Sequence, residues 1–239
     1  MIKFFKRIVF SLILIVVLAG GFVGYQGYDM YKKAIEEISI EDMIKNIKEE
    51  ANVYTEYDSL PQNYIDAVIA VEDRRFFEHS GVDVISIGRA IVTNIKERRL
   101  AEGGSTITQQ LAKNTYFTQK KEFARKIAEV FMAREFEEVC TKEEIFELYV
   151  NTMYFGDGYY CIADAAKGYF DKEVKDMNLH ESTLLAGIPN APSVYSPNAN
   201  PELSRQRHSQ VVRQMIKYEY LDEKKGKELL KEIEKNKKE

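Results

Sequence analysis

The run GGSTITQQLAKN, residues 103–114, decides how the middle of this chain folds. Two glycines form a flexible loop, and Thr106 followed by Gln109 makes a capping box, which predicts that a helix begins here. A loop that leads into a helix N-terminus also presents backbone N–H groups and hydroxyls to an anion. Capping explains one hydroxyl and one amide, but it leaves further polar side chains without a role: Ser105, Thr108 and Gln110.

Helical patterning continues on both sides of this run. Ile65, Val68, Ile69 and Glu72 share one helical face at spacings of three and four residues. A second capping box, Thr141 to Glu144, opens a helix further along the chain. Helices are predicted over 64–77, 83–99, 123–139, 142–155, 162–169, 179–186 and 205–221.

Two segments near the C-terminus are predicted to lack helix. Pro189, Pro192 and Pro197 predict an extended loop over 187–201, and residues 231–239 are expected to form a frayed tail. No stretch alternates apolar and polar residues as a half-buried strand would. The fold class is therefore predicted to be mainly α.

The N-terminus carries a membrane signal. Basic residues at 3, 6 and 7 precede eighteen uncharged residues, 8–25, and a run of this length crosses a hydrocarbon core of about 30 Å. A cleaved signal peptide is the alternative, but it requires a shorter apolar region and a clear cleavage site. The basic flank predicts that residues 1–7 are cytoplasmic and that the chain from residue 26 lies outside.

Charge and cysteine content narrow the class of protein. The 34 Lys and Arg residues face 38 Asp and Glu, and the part outside the membrane is more acidic still, which argues against a general nucleic-acid binder. Within that acidic background, residues 113–126 form a basic segment suited to an anionic ligand, although a solvated helix face has the same composition. Cys140 and Cys161 are expected either to form a disulfide or to remain as two buried thiols.

Two carboxylates stand out as candidate catalytic groups. Glu72 follows an apolar face, so partial burial at the core edge would suit it to general acid or base chemistry, although it also belongs to an ordinary charged cluster. Glu129 lies four residues after Arg125 and three after Lys126 on a predicted helix. An intrahelical ion pair of this kind contributes only about 0.3–0.5 kcal/mol, so its spacing alone does not indicate a function.

Five motifs in a fixed order resemble the peptidoglycan glycosyltransferases, glycosyltransferase family 51. They are EDxxFxxHxG from Glu72 to Gly81, GGSTITQQLAKN, RKxxE from Arg125 to Glu129, KxxIxExYxN from Lys142 to Asn151, and AxxPxxPxxYxP from Ala186 to Pro197. The resemblance covers roughly residues 55–220. Since neither Ser-x-x-Lys nor Lys-Thr-Gly of a transpeptidase is found, the chain resembles the monofunctional members.

The resemblance implies a fold and an activity. The expected fold is a lysozyme-like helical lobe with a small membrane-facing lobe, preceded by one transmembrane helix. The expected reaction polymerises lipid II into β-1,4 glycan, with inversion at the donor anomeric carbon and release of undecaprenyl diphosphate. The implied boundaries are a cytoplasmic N-terminus at 1–7, an anchor at 8–25, a linker or stalk at 26–50, and the glycosyltransferase domain at 51–239. The implied location is the bacterial cell membrane, with a single pass and the catalytic domain outside.

The resemblance also assigns roles to residues. Glu72 would act as the general base towards the acceptor hydroxyl, and Glu129 would be the second carboxylate, on the donor side. The residues implied to contact sugar or diphosphate are Ser105, Thr106, Gln109, Gln110, Lys113, Lys121, Arg125, Lys126 and Asn151. The implied partners are lipid II, lipid-linked glycan, the membrane, and wall-synthesis proteins such as penicillin-binding transpeptidases, with no nucleic acid.

Some positions leave alternatives open. Cys161 and Asp171 replace residues that are more usual in the family, which puts the local loop geometry in question. No metal-ligand motif is found, so no cofactor is expected to be required, with Mg²⁺ the candidate if the diphosphate recruits an ion. A lysozyme-like glycan hydrolase and a non-catalytic wall-synthesis scaffold remain as rival functions, and hydrolysis of glycan without polymerisation of lipid II would favour the first.

Overall fold

The computed structural model describes residues 2–51, 53–98, 103–117 and 123–235. Within these ranges all regular structure is helical except for one isolated bridge between Ser80 and Val82, which confirms the mainly α prediction. The α-helices of the described ranges are α1 (Ile2–Glu37), α2 (Ile40–Glu50), α3 (Gln62–Glu72), α4 (Val84–Glu97), α5 (Ile107–Tyr116), α6 (Phe123–Val139), α7 (Lys142–Thr152), α8 (Ile162–Phe170), α9 (Leu179–Gly187), α10 (Pro192–Tyr195), α11 (Pro201–Lys217) and α12 (Glu223–Lys235).

The central helix α5 starts where the capping box predicts. Thr106 accepts a hydrogen bond from the Gln109 amide, and Gln109 Oε1 accepts one in return from the Thr106 amide. Helix α5 packs between α6 and α7, while α3, α9 and α11 pack together beside them. The core is built from large apolar side chains of these helices, among them Tyr64, Leu111, Met132, Phe136 and Phe146.

The N-terminal helix also packs against the rest of the domain. The segment Phe4–Glu37 is the only helix in the described ranges that is long and apolar enough to span a membrane. Its C-terminal half packs along α6, where Tyr31 stacks on Phe131 with ring centroids 5.5 Å apart. Gly27 allows this approach, because a Cβ there would lie 2.6 Å from the Ala124 carbonyl oxygen and from Ile127. The apolar N-terminal helix is therefore continuous with the packed domain.

Two predictions near the C-terminus are wrong in part. Residues 187–201 are not wholly extended: a 3-10 turn forms at Ile188–Asn190, and α10 follows it. Pro189 is the second residue of the first turn and Pro192 is the first residue of α10, positions where no N–H donor is needed. Residues 231–235, expected to fray, continue α12 because Leu229 and Ile233 are buried against the core.

Helix α4 presents an apolar face to the outside. Val84, Ile91, Val92 and Ile95 lie on one side of the helix at spacings of seven, eight and eleven residues from the first, and each is more than half exposed. We call these four residues the α4 stripe. An exposed apolar stripe of this kind marks a surface that interacts with a partner or a membrane.

The two cysteines are free thiols, so a disulfide between them is not formed. Cys140 lies just after α6, beside α2, while Cys161 caps α8 and accepts a hydrogen bond from the Asp164 amide at 3.4 Å. Asp171 adopts the left-handed conformation, with φ of 55°, at the end of α8. Glycine is the residue that adopts this conformation most readily.

Candidate active site

Glu72 occupies the last position of α3, and its carboxylate is held on both sides. Its side chain is 7% exposed. Oε1 accepts a hydrogen bond of 2.9 Å from Arg207 Nη2, and Oε2 accepts one of 2.9 Å from Gln110 Nε2. A cationic partner and an amide donor therefore fix the direction of this buried carboxylate.

A buried network of polar groups fixes the segment that follows Glu72. Asp73 accepts hydrogen bonds from the Ile107 amide at 3.0 Å and from His79 Nε2 at 2.9 Å, so it ties the end of α3 to the start of α5. Asp83 caps α4 through the Ser86 amide and also pairs with Arg75 at 3.1 Å. Burial opposes ionisation of Asp83, but the Ser86 hydrogen bonds and the Arg75 charge outweigh it and lower the pKa.

Asp73, His79 and Asp83 also form the one group in the described ranges whose spacing would suit a metal ion, since one ligand atom from each lies within 4.8 Å of the others. Their oxygens are already used by the Ile107 amide, by Ser86 and by Arg75. A metal would have to displace several of these hydrogen bonds. The arrangement fits a structural network better than a metal centre.

The glycine-rich run is used mainly to build the site. Thr106 Oγ1 donates a hydrogen bond of 2.6 Å to the Gly81 carbonyl, and both Thr106 and Gln109 are almost fully buried by the capping box. Gly81 has φ of 72°, and a Cβ at this position would lie 3.1 Å from the Ala133 backbone. Thr108 Oγ1 donates to Glu137. Thr108 thus joins α5 to α6, while Thr106 and Gln109 fix the start of α5.

A second carboxylate lies among cations on the first turns of α6. Glu129 is 1% exposed, and its Oε2 lies 2.7 Å from Lys126 Nζ. Arg125 Nη1 lies 3.1 Å from Oε1, without the alignment of a hydrogen bond. Lys126 Nζ also donates to Ser105 Oγ at 2.6 Å. The predicted ion pairs of this helix are confirmed, and they connect the glycine-rich loop to α6.

The charges of both carboxylates, Glu129 and Glu72, act on the Lys113 ammonium group. Burial lowers the pKa of this half-buried lysine, the fields of Glu129 and Glu72 oppose that effect, and the charges of Arg125 and Lys126 add to it. Within the described ranges, the Lys113 ammonium group has no hydrogen-bond or ion-pair partner. Three cations therefore surround one carboxylate at this end of the site, and the excess positive charge suits an anionic ligand.

The structure does not bring every predicted residue to this place. Asn151 is buried at α7, where its amide accepts from the Thr55 amide and donates to the Thr55 and Glu147 carbonyls. All of its hydrogen-bonding groups are used to hold the segment before α3 on the core. Lys121 lies outside the described residues.

Arg207 is the site residue that the sequence did not reveal. It lies on α11, 135 positions from its partner Glu72, and only the fold brings the two together. Within α11 it is one of several basic residues, and no local spacing distinguishes it. Its burial at 8% exposure is the signal, and this is visible only in three dimensions.

The chain is similar to known proteins of one family. A family model described as Transglycosylase matches residues 40–216. Penicillin-binding protein 1F of Bacillus subtilis (strain 168) is 42% identical over 209 residues, which covers 85% of this chain and 29% of that protein. Penicillin-binding protein 1A of Aquifex aeolicus (strain VF5) is 42% identical over 168 residues, covering 70% of this chain and 23% of the relative.

The chain thus spans less than a third of the length of these relatives. Among solved structures, the crystal structure of penicillin-binding protein 1A from Haemophilus influenzae matches with a TM-score of 0.37 and 26% identity. The match covers 53% of this chain and 16% of that one.

Proposed function

The chain belongs to the transglycosylase family, and from this premise we propose that it is a peptidoglycan glycosyltransferase that polymerises lipid II into β-1,4 glycan. The observation that carries the proposal is the pairing of a buried Glu72, held by Arg207, with a cationic cluster around Glu129. One end of the site suits proton removal, and the other suits a diphosphate. A hydrolase requires carboxylates but no anion-binding cluster beside them.

Glu72 is proposed as the general base. The 4-hydroxyl of the acceptor sugar attacks the anomeric carbon of the donor, and its proton passes to the Glu72 carboxylate. The bond from that carbon to the diphosphate breaks on the opposite face, so the α-linked donor gives a β-1,4 product. A positioned base of this kind contributes roughly 10²–10⁴-fold to a rate.

The donor side is proposed to hold the leaving diphosphate. Lys113, Arg125 and Lys126 supply positive charge where the undecaprenyl diphosphate gains negative charge as the bond breaks. Glu129 holds Arg125 and Lys126 in place through its ion pairs with them. Lys121 is proposed to add to the same cluster, and Ser105 and Gln110, which are only partly buried, are proposed to reach sugar or phosphate oxygens.

A divalent cation is not needed for this scheme. Both oxygens of Glu129 already face Lys126 and Arg125, so this carboxylate does not fit a magnesium site as it stands. Lys113, Arg125 and Lys126 supply the neutralising charge, and no step of the proposed reaction uses a metal.

The membrane context follows from the apolar helix. We propose that residues 1–7 lie in the cytoplasm, that 8–25 cross the membrane, and that the domain acts outside it, where a lipid-carried donor presents its sugars. Residues 26–50 connect the anchor to the catalytic domain from residue 51. The α4 stripe is proposed as the apolar surface of the membrane-facing lobe. Penicillin-binding transpeptidases are proposed partners, since they would consume the glycan.

The test is incubation of the purified chain with lipid II, followed by separation of the products by gel and mass spectrometry. We expect polymeric glycan and free undecaprenyl diphosphate from the wild type, and a loss of roughly 10²-fold or more for Glu72→Gln. Glu78→Gln is the matched control, because Glu78 is an exposed carboxylate a few residues away. Release of fragments from preformed glycan without polymerisation of lipid II would show the hydrolase instead.

A further inference from the structure

Arg207 is held in one position by groups from several helices. Its Nε donates to the Gly187 carbonyl at 3.2 Å, Nη1 donates to Gln210 Oε1 at 3.0 Å, and Nη2 donates to Glu72 Oε1 at 2.9 Å. The guanidinium also lies over the Tyr195 ring, 5.7 Å from its centroid. A guanidinium fixed at three nitrogens cannot follow Glu72 if the carboxylate moves, so it sets where the carboxylate lies.

The fold makes room for this side chain at α9. A Cβ on Gly187 would lie 3.0 Å from Arg207 Cγ. The side chain of Arg207 therefore passes close to the α9 backbone on its way from α11 to Glu72. Helices α3, α9 and α11 pack against one another, and the Arg207–Glu72 pair lies among them.

The two oxygens of Glu72 are divided between different neighbours. Oε1 faces Arg207, which is buried. Oε2 faces Gln110 on α5, the same helix that carries Lys113. Gln110 is only partly buried and is uncharged, so an incoming hydroxyl could displace its amide from Oε2 far more readily than it could displace the buried guanidinium from Oε1.

We propose that Arg207 is a positioning residue of the reaction: it holds Glu72 Oε1 and leaves Oε2 as the oxygen that receives the proton of the acceptor hydroxyl. Gln110 occupies Oε2 in the absence of acceptor and gives way to it. This inference rests on the proposed function of the same site. A purely structural role for Arg207 would affect stability but not the pH at which the base is active.

Two substitutions separate the charge of Arg207 from its geometry. Arg207→Lys keeps the charge but cannot reach Gly187, Gln210 and Glu72 together. Arg207→Gln keeps one donor for Oε1 but removes the charge. Arg213→Gln is the matched control, because Arg213 is an exposed arginine on the same helix.

We expect kcat on lipid II to fall at least about tenfold in Arg207→Lys and roughly a hundredfold in Arg207→Gln, with KM nearly unchanged. The pH profile of kcat separates the two roles, because a purely structural role for Arg207 would leave that profile unchanged. Without the positive charge, protonated and therefore inactive Glu72 is favoured, so the acid limb of kcat shifts upward by about one pH unit or more in Arg207→Gln. The acid limb of kcat should not shift in Arg207→Lys or in Arg213→Gln.

The other groups that face Glu72 are unchanged in these variants: Gln110 and Lys113 from α5, Tyr149 from α7 and Tyr64 within α3. Wild-type kcat and an unmoved acid limb in Arg207→Gln would overturn the inference. If Arg207→Gln does not fold, Arg207→Lys decides, and a wild-type kcat in that variant would overturn it. Failure of the proposed function is distinct, since the wild type itself would then not polymerise lipid II.

Discussion

Lys113 is a cation that the fold does not require. Burial lowers its pKa, and no ion pair in the described ranges compensates its charge. Its charged form therefore costs stability, and that cost is relieved as pH rises through its folded-state pKa. A side chain kept at such a cost is better explained by ligand binding than by packing.

We predict that Lys113→Met lowers kcat/KM for lipid II by about ten- to a hundredfold, because a charge-assisted contact to the diphosphate is worth about 1.5–3 kcal/mol. The free energy of unfolding should stay the same or rise. Steady-state kinetics and urea unfolding measure the two effects. Lys231→Met, at an exposed position of α12, is the control. A variant that loses stability along with activity would contradict the binding role.

His208, next to Arg207, should make the protein sensitive to acid. Burial, followed by the charge of His180, lowers the His208 pKa to about 3, against 6.5 for the free side chain. Between these two pH values the unfolded chain binds a proton and the folded chain does not. The free energy of unfolding should therefore fall by up to about 1.4 kcal/mol per pH unit as pH drops below 6.5.

The measurement for His208 is urea unfolding at several pH values between 7 and 4. His208→Gln can still form a hydrogen bond with Thr183, which His208 contacts at 2.7 Å, and it should remove this part of the pH dependence. Carboxylates contribute equally in both proteins, so the difference between the curves isolates the histidine. Parallel curves for wild type and variant would show that His208 takes up a proton in the folded state.

Individual residues differ in how far the sequence could assign them. The ion pairs of Glu129 are set by spacing within one helix, and they formed as predicted. Asn151 and Arg207 depend on contacts with residues 96 and 135 positions away, and neither could be placed from local pattern. Gln110 donates to Glu72 in this structure. Its predicted contact with ligand stays a prediction, as do the other substrate-binding assignments.

At the level of helices, the sequence was most informative where the determinants are local. Both predicted capping boxes, at Thr106 and Thr141, start helices at the expected residues. The prolines after α9 led to the wrong prediction of an extended loop over 187–201. A proline breaks the interior of a helix but is accepted in its first turn. The packing of α1 on α6 could not be predicted, because an apolar run gives no sign of which part is covered by protein.

That packing makes opposite predictions for two glycines of α1. Gly24→Ala should be neutral or stabilising, because a Cβ there meets nothing within 4 Å and alanine favours helix by up to about 1 kcal/mol. Gly27→Ala should be destabilising, because its Cβ would meet the α6 backbone, and overpacking costs about 1–3 kcal/mol. Thermal unfolding in lipid nanodiscs compares the two variants. Equal melting temperatures would contradict the close α1–α6 contact.

At the level of the whole molecule, the site exists because distant segments converge. Glu72 ends α3, the glycine-rich loop starts α5, the cations begin α6, and Arg207 comes from α11. The order of the motifs was enough to identify the family before any geometry was known. It gave no account of how the carboxylates are held, since each motif appears in the sequence without its spatial neighbours.

The N-terminal helix and the α4 stripe both expose apolar side chains in the part of the chain that the structure describes. If both contact the same bilayer, the domain is held with its site towards the lipid-carried substrate. We predict that Val92→Ser combined with Ile95→Ser weakens vesicle binding of a chain lacking residues 1–25 by about tenfold or more, because each buried aliphatic side chain contributes about 1.5–3 kcal/mol. Both residues are largely exposed, so the melting temperature should not change.

Flotation with vesicles of bacterial lipids measures this binding, with the free protein separated from the bound. The control is Val53→Ser combined with Val139→Ser, two exposed valines outside α4, which should leave the bound fraction unchanged. Equal losses in the two double variants would indicate that general surface hydrophobicity drives binding. Full retention in the α4 variant would show that the stripe does not enter the bilayer, and the anchor alone would then hold the domain at the membrane.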